Sequence, residues 1–433
     1  IIVLAIAVIA IFGFYYFQPE TTDPGSENEN TGTNFISQFN PFESKKEPTE
    51  TVTPSVEVSG YQPPIEDIQK KLNKVSTMPI AGFITFSKER LKEIPVATAE
   101  QGESLLTTPT TKLKKPATEF ALALRYVDKA TGNIYQTFVD KIEEKKFSTT
   151  IIPKVHEAFF GNKGESVVMR YLKEDERTIE TFVGTLPKEL FGVDTKEDNE
   201  IKGAFLPNNI KDASMSPDGS KIFYLFNNGD SVAGAILSFL NNKKVQIFDS
   251  PFTEWLSFWP IKNMITLTTK PSANVPGYMY SIDGAGKNLT KVLGDINGLT
   301  TLGSPNGKLI LHSDNSLLLN IYHMDSRNSN LLGIKTMSEK CVWGKASDVI
   351  YCAAPKSISA GEYPDVWYQG EVSFSDQLWK IDVKTGNATI ILDPATTEGG
   401  KEIDGIKLAL EESENYLFFV NKKDSFLWKL ELR

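Results

Sequence analysis

Apolar and polar positions divide the chain into four stretches. Residues 1–17 (IIVLAIAVIAIFGFYYF) are apolar and uncharged, and they end in a Phe-Tyr-Tyr-Phe cluster. Residues 18–60 are rich in Thr, Glu, Asn, Ser, Pro and Gly and show no sustained apolar period. After Pro63-Pro64, Ile65, Ile68, Leu72 and Val75 recur at helical spacing, which predicts a short amphipathic helix within a lead-in at 61–80. From Ala81 to Arg433 the pattern changes to short runs rich in β-branched and aromatic residues, bounded by Gly, Asn, Asp and Pro. Examples are EFALALRYV, KIFYLFN, MITLTT, KLILHS, DVIYCAA and NYLFFVN. This part of the chain is predicted to be all-β.

The strands recur with two turn motifs. One is a turn leading into an apolar strand, as in Ser216-Pro-Asp-Gly-Ser-Lys-Ile-Phe-Tyr224 and Ser304-Pro-Asn-Gly-Lys-Leu-Ile-Leu311. Pro presets φ and Gly supplies the positive φ that such turns need. Weaker copies stand at Gly161–Gly164, Ile261–Asn263 and Glu412–Asn415. The other motif is a strand, an Asp and a Gly/Asn turn, seen at Tyr126–Asn133, Ser281–Lys287 and Lys380–Asn387, with a looser copy at His323-Met-Asp325. Pro217 and Pro305 are 88 residues apart with the copy at Ile261 halfway, and Asp283 and Asp325 are 42 apart. A period in the low forties with about four strands per unit is the mark of propeller blades. Units near 119–152, 154–190, 203–250, 253–294, 297–335, 339–392 and 403–432 give seven blades, with six or eight still compatible. The last unit is one strand short. The isolated strand at 81–87 is expected to pair with it and close the ring, which removes an exposed edge.

With these residues in view, the Ser-Pro-Asp-Gly-x-x-Ile turn followed by strand, Asp and Thr-Gly resembles the WD-like repeat of TolB-type β-propellers over roughly 115–433. The arrangement is also similar to membrane-anchored propellers of an uncharacterised bacterial family. The resemblance implies a fold and leaves function open, because such propellers serve many roles.

Composition then bounds location and partners. The net charge is −9, and eight acids against Lys45 and Lys46 place most of it in 18–60. The β region is close to neutral and offers no basic footprint, so no nucleic-acid partner is expected. Residues 1–17 suit a transmembrane signal anchor with its aromatics at the interface, its natural start lying upstream. A cleaved signal peptide would need small residues at a cleavage site. A buried core helix would be isolated by the linker that follows. No Lys or Arg lies between the apolar run and Lys45, so the expectation is a single-pass protein of the cell membrane with 18–60 as a flexible acidic linker and 81–433 outside the cytoplasm.

The chemistry-bearing residues are few. Cys341 and Cys352 face each other if CVWGKASDVIYC turns at Lys345–Asp348. They are read either as a structural disulfide or as two buried thiols. His156, His312 and His323 form no ligand spacing, and no nucleophile elbow, P-loop or dinucleotide fingerprint occurs. No cofactor is expected. Ser216-Pro-Asp218-Gly219 begins like a sialidase box, but its Gly is one place early and no Trp follows, so it reads as a blade turn. Asp283, Asp325 and Asp382 recur at one blade position and read as turn-starting residues.

The sixth unit is longer than its neighbours, with the excess at Ala354–Ser375. A long loop on a rigid scaffold is a common place for function. Tyr363, Asp365, Trp367 and Tyr368 are therefore candidate partner-binding residues, against the alternative that the loop folds onto its own blade with the aromatics as glue. The insertion at Gly102–Pro116 is expected to be mobile. Two functions follow: a binding or scaffold module for a protein or envelope polymer, or an envelope glycan-processing enzyme with carboxylates converging in the channel.

Overall fold

The computed structural model describes residues 72–92, 117–141, 143–187, 199–397 and 400–433. The apolar run at 1–17, the linker at 18–60, most of the lead-in and the insertion at 102–116 lie outside these residues. Among the described residues no helix is long and apolar enough to cross a membrane.

The described residues form seven antiparallel sheets of four strands each, the seven blades of a β-propeller. The innermost strands of blades 1 to 7 are Ile80–Leu91, Val155–Gly161, Asp212–Met215, Trp255–Ile261, Thr300–Gly303, Cys341–Trp343 and Gly405–Leu410. Blades 1 to 6 use four consecutive strands. Blade 7 draws three strands from the C-terminal end of the chain, and its fourth, outermost strand is Leu72–Lys74, paired with Leu430, Lys429 and Trp428. Two expectations are thereby corrected. The stretch at 81–87 lies within Ile80–Leu91, which opens blade 1 by pairing with Thr118–Asp128. Leu72 closes the ring from within the segment read as helical, because ring closure offers backbone partners along the edge of Leu427–Glu431 that an isolated turn of helix lacks. Lys202–Phe205, counted in the third unit, is the outermost strand of blade 2.

Alternation along each strand sends apolar side chains to both sheet faces. The core is accordingly a set of layers between blades. One layer packs Val167, Met169 and Phe182 of blade 2 against Ala81, Val127 and Ile134 of blade 1. The layer between blades 7 and 1 packs Phe418 and Val420 against Leu124 and Tyr126. Equivalent layers separate the remaining neighbours.

The turn motifs behave as their chemistry dictates. Asp218 accepts bonds from Ser216 Oγ (2.7 Å) and Ser220 N (3.0 Å), while Gly219 takes φ +66°. Asn306, Ser304 and Gly307 repeat the arrangement. Asp283 and Asp382 each cap their own turn through backbone N–H groups. Cys341 and Cys352 are directly opposed in register and joined by a disulfide, with Cα atoms 4.0 Å apart.

These turns all connect first to second or third to fourth strands and share one face of the ring. The second-to-third loops and the blade-to-blade connections share the other face, which is called the mouth face below. A chain shortened to begin at Thr77 should be destabilised by roughly 2–4 kcal/mol relative to one beginning at Gly60, since about one net kcal/mol attaches to each lost ladder bond. Thermal unfolding checks this. Light scattering should also show self-association through the bared edge, and identical unfolding of both chains would rule out closure at Leu72–Lys74.

Candidate functional site

The long loop of blade 6 runs from Lys356 to Ser375 on the mouth face, between strands Val349–Pro355 and Asp376–Asp382. It carries a single helical turn at Asp365–Tyr368 and a cis Tyr363–Pro364 bond. Its apolar residues form a separate core cluster with the neighbouring blades. Tyr363 (3% exposed), Trp367 (5%) and Phe374 pack on Leu317 and Met337. The Tyr363 and Phe374 rings stack at 5.7 Å. Asp365 Oδ2 accepts Ala273 N–H at 2.6 Å, which ties the loop to the second-to-third loop of blade 4. The loop is thus fastened across blades 4 to 7. Two of the four residues expected to face a partner are instead in the core, because their apolar area is better satisfied against Leu317 and Met337 than in water. Tyr368 stays 38% exposed.

The fastening rests on a buried cation. Lys340 and its partners Asp376 and Asp404 have fully buried side chains. Lys340 Nζ donates to Asp376 Oδ2 at 2.8 Å and to Asp404 Oδ1, and lies over the rings of Trp367 (5.2 Å) and Phe374 (5.3 Å). Asp404 Oδ2 accepts from Trp367 Nε1 (2.9 Å), Phe374 N (3.0 Å) and Ser373 Oγ (3.1 Å). Burial opposes its ionisation, but the charge of Lys340 and these donors outweigh burial and hold the carboxyl below its usual range. Asp376 accepts one further bond, from Gly405 N at 2.7 Å, and its Oδ1 has no partner. Burial pushes Asp376 up to about 6. Asp404 therefore carries the charge that Lys340 balances, and Asp376 is the first of the two to take a proton.

Beside this tie, Glu339 faces Tyr368. Tyr368 Oη donates to Glu339 Oε2 at 2.9 Å, and Glu339 Oε1 finds no acceptor or donor. Burial pushes Glu339 up to about 7 against the pull of Tyr368, Lys340 and Lys422. Lys422 bonds the Trp367 carbonyl and lies 4.0 Å from that ring.

Residues near the starts of innermost strands, with Arg170 on the second strand of blade 2 and Lys129 in the turn after the second strand of blade 1, form the rest of the rim. Glu157 pairs with Arg170, which also bonds the carbonyl of Ile210. Asp212 accepts from Ser257 N (2.6 Å) and Oγ (2.7 Å), and burial pushes it up to about 6. Lys407 Nζ bonds the Ala81 carbonyl at 2.8 Å, and Lys129 Nζ bonds Ser425 Oγ at 3.1 Å. His156 is lowered by burial first and then by the charge of Arg170, with Lys407 and Lys129 adding to it and Glu157 opposing. His156 and Lys407 are exposed to solvent, and each stands near the start of an innermost strand.

Fold and rim together define a seven-bladed propeller with an ionisable channel mouth. No family model and no curated protein matches the chain. Among solved structures it is similar to an oligogalacturonate lyase from Vibrio parahaemolyticus, at 8% identity over 72% of this chain and 86% of that one, with a TM-score of 0.48. An oligogalacturonate lyase in complex with manganese is similar at 9% identity, 72% and 86% coverage and a TM-score of 0.46. At these identities the likeness is one of architecture.

Sequence reasoning found the loop but not the groups beneath and around it. Lys340 stands in Met-Ser-Glu-Lys-Cys, and its carboxylate partners are 36 and 64 residues away. Lys129 sits inside the turn motif at Tyr126–Asn133, whose pattern signals a turn and nothing of the rim. The one available signal for His156 and Lys407 is position, since each falls near the start of an innermost strand.

Proposed function

We propose that the chain is a membrane-anchored, extracytoplasmic binding module of TolB type, which engages a protein or cell-envelope polymer through the mouth face. The carrying observation is that this face is fixed rather than loose. A twenty-residue loop is fastened over four blades by a buried Lys–Asp–Asp tie, and it presents Tyr368 beside ionisable rim groups. A preorganised surface of this kind binds without the entropic cost of ordering a loop. Single-pass anchoring and the acidic tether would hold it at a membrane surface.

The glycan-processing reading draws on Glu339, whose carboxyl is pushed up to about 7 and whose Oε1 is buried without a partner among the described residues. Such a group suits general acid–base work. The other two rim carboxylates are already engaged, Glu157 by Arg170 and Asp212 by Ser257, so paired hydrolytic acids are not ready-made. Binding is the better-supported function.

Replacing the long loop would strand the charges under it, so the test uses single positions. A photo-crosslinking residue at 368 on intact cells should capture a discrete component. The same residue at Gly284, on the opposite face, should not. Equal capture at both positions sinks the mouth-face reading. Turnover of an envelope glycan that disappears in Glu339→Gln would replace binding by catalysis.

A further inference from the structure

The rim is electrostatically lopsided. Between blades 7, 1 and 2 it gathers Lys407, Lys129, Arg170 and His156, with Glu157 as the nearby carboxylate. Further round, blades 3 to 5 offer Asp212, Ser257 and Thr301. Glu157 is engaged by Arg170, and among the described residues neither lysine is paired with a carboxylate. An ammonium has three donors. Lys407 places one on the Ala81 carbonyl and Lys129 one on Ser425 Oγ, so each keeps donors for a further acceptor. Arg170 Nε, buried beside them, also lacks an acceptor.

The backbone makes a specific arrangement to put Lys407 there. It lies inside an innermost strand, at a break in register between Ile406 and Ala409, with φ +51°. A non-glycine residue in this left-handed region is held against a local cost, and bulges re-aim side chains at functional edges. Burial lowers the pKa of Lys407, Glu157 opposes this, and Lys129 and Arg170 reinforce it. Like charges crowded into one channel mouth focus the field there and favour a counter-charge. Lys129 is positioned with equal care: its carbonyl accepts Val155 N–H at 2.9 Å, one residue before His156.

We propose that the channel rim between blades 7, 1 and 2 binds an anionic oxygen group, a carboxylate or phosphate, with Lys407, Lys129 and His156 donating to it. This rests on the reading of the mouth face as the binding face and narrows its ligand to one bearing such a group. The occupied site would hold charge-assisted bonds of the stronger kind. The anion would also favour the imidazolium form of His156, whose charged neighbours are Arg170, Glu157, Lys407 and Lys129.

The chain has three histidines, which makes the test direct. His312 is buried within blade 5 against Ser329, and His323 bonds Asn330, so both serve as internal controls. Full-length protein in detergent, labelled at histidine, is titrated with inorganic phosphate, with acetate and with neutral glucose at fixed ionic strength. The expected result is a saturable shift of the His156 resonances with an anion, displacement of its titration to higher pH, and no response to glucose. Lys407→Gln and Lys129→Gln should each weaken the response by about tenfold or more, the loss of one charge-assisted bond. Response to one anion alone supports the site and names the group. No response to either anion, equal movement of all three histidines, or an unchanged response in both variants overturns it. Anion binding without crosslinks at 368 would keep this site while removing the macromolecular partner, and the reverse outcome would do the opposite.

Discussion

Replacing Lys340 by methionine should cost the propeller roughly 3–5 kcal/mol, the usual penalty for stripping one partner from a buried ion pair. The cation sits between two fully buried carboxylates, and without it Asp404 keeps a charge that only neutral donors face. Asp404→Asn should be nearly as damaging. Asp376→Asn should cost within about 1 kcal/mol, because it mimics the protonated form that this site already favours. The pH dependence has a definite sign. Asp376 is raised in the folded protein to about 6, so its contribution is present below the ordinary carboxylate range and is lost as pH rises through 6. Asp404 is lowered, so its contribution is present above that range and is lost as pH falls through its folded value. The two contributions therefore overlap near pH 4, and that of Asp376 declines between there and about pH 6. Urea unfolding at pH 5 and pH 8 should therefore show wild type losing stability between the two, and Asp376→Asn losing less. A variant series in which Asp376→Asn is the costlier of the two Asn replacements would reverse the assignment of charge.

The blade scaffold was legible because its signals are local. Ser-Pro-Asp/Asn-Gly turns, and Asp turns closed by a Gly three or four residues on, specify φ and hydrogen bonds within five residues, and they recur at the blade period. The register that opposes Cys341 to Cys352 follows from one short turn. Ring closure was not legible in the same way. Leu72 fits the helical spacing of Ile65, Ile68 and Val75, and a three-residue strand has too few positions for its period to compete. What decides the matter is an edge provided more than 350 residues later, at Leu430. The long loop shows a different limit. Composition marks Tyr363, Trp367 and Tyr368 as aromatics on an insertion. Which of them is buried depends on Leu317, Met337 and the Lys340 tie, none of which is near them in sequence. The candidate rim is the same problem repeated around the ring: its members are single residues near innermost-strand starts, such as His156 and Lys407, or on second strands and their turns, such as Arg170 and Lys129, brought together only by closure of the ring.

Gly82→Ala should be the most damaging small substitution in the inner ring. A methyl group at this position would lie 2.0 Å from the carbonyl oxygen of Ala158 and 2.8 Å from its carbon. Both belong to the backbone of the next innermost strand, so no side chain can rotate away. Blades 1 and 2 would have to separate, and the layer holding Ala81, Ala158 and Phe160 would open with them. Overpacking of this kind costs about 3 kcal/mol or more when the obstacle is main chain. Gly229→Ala is the matched control. It has φ +64° with nothing within 4 Å of the added carbon, so it bears the left-handed backbone cost alone, about 1–2 kcal/mol. Denaturant unfolding of the two variants separates steric from conformational strain. The substitution also reaches the rim, since Ala81, the neighbour of Gly82, supplies the carbonyl that holds Lys407. If blade separation is the mechanism, the anion response of His156 should weaken in Gly82→Ala under conditions where the variant is still folded, and remain intact in Gly229→Ala. Equal stability of the two variants would show that neighbouring innermost strands can part by the width of a methyl group without cost, and the rim would then be a looser structure than its contacts imply.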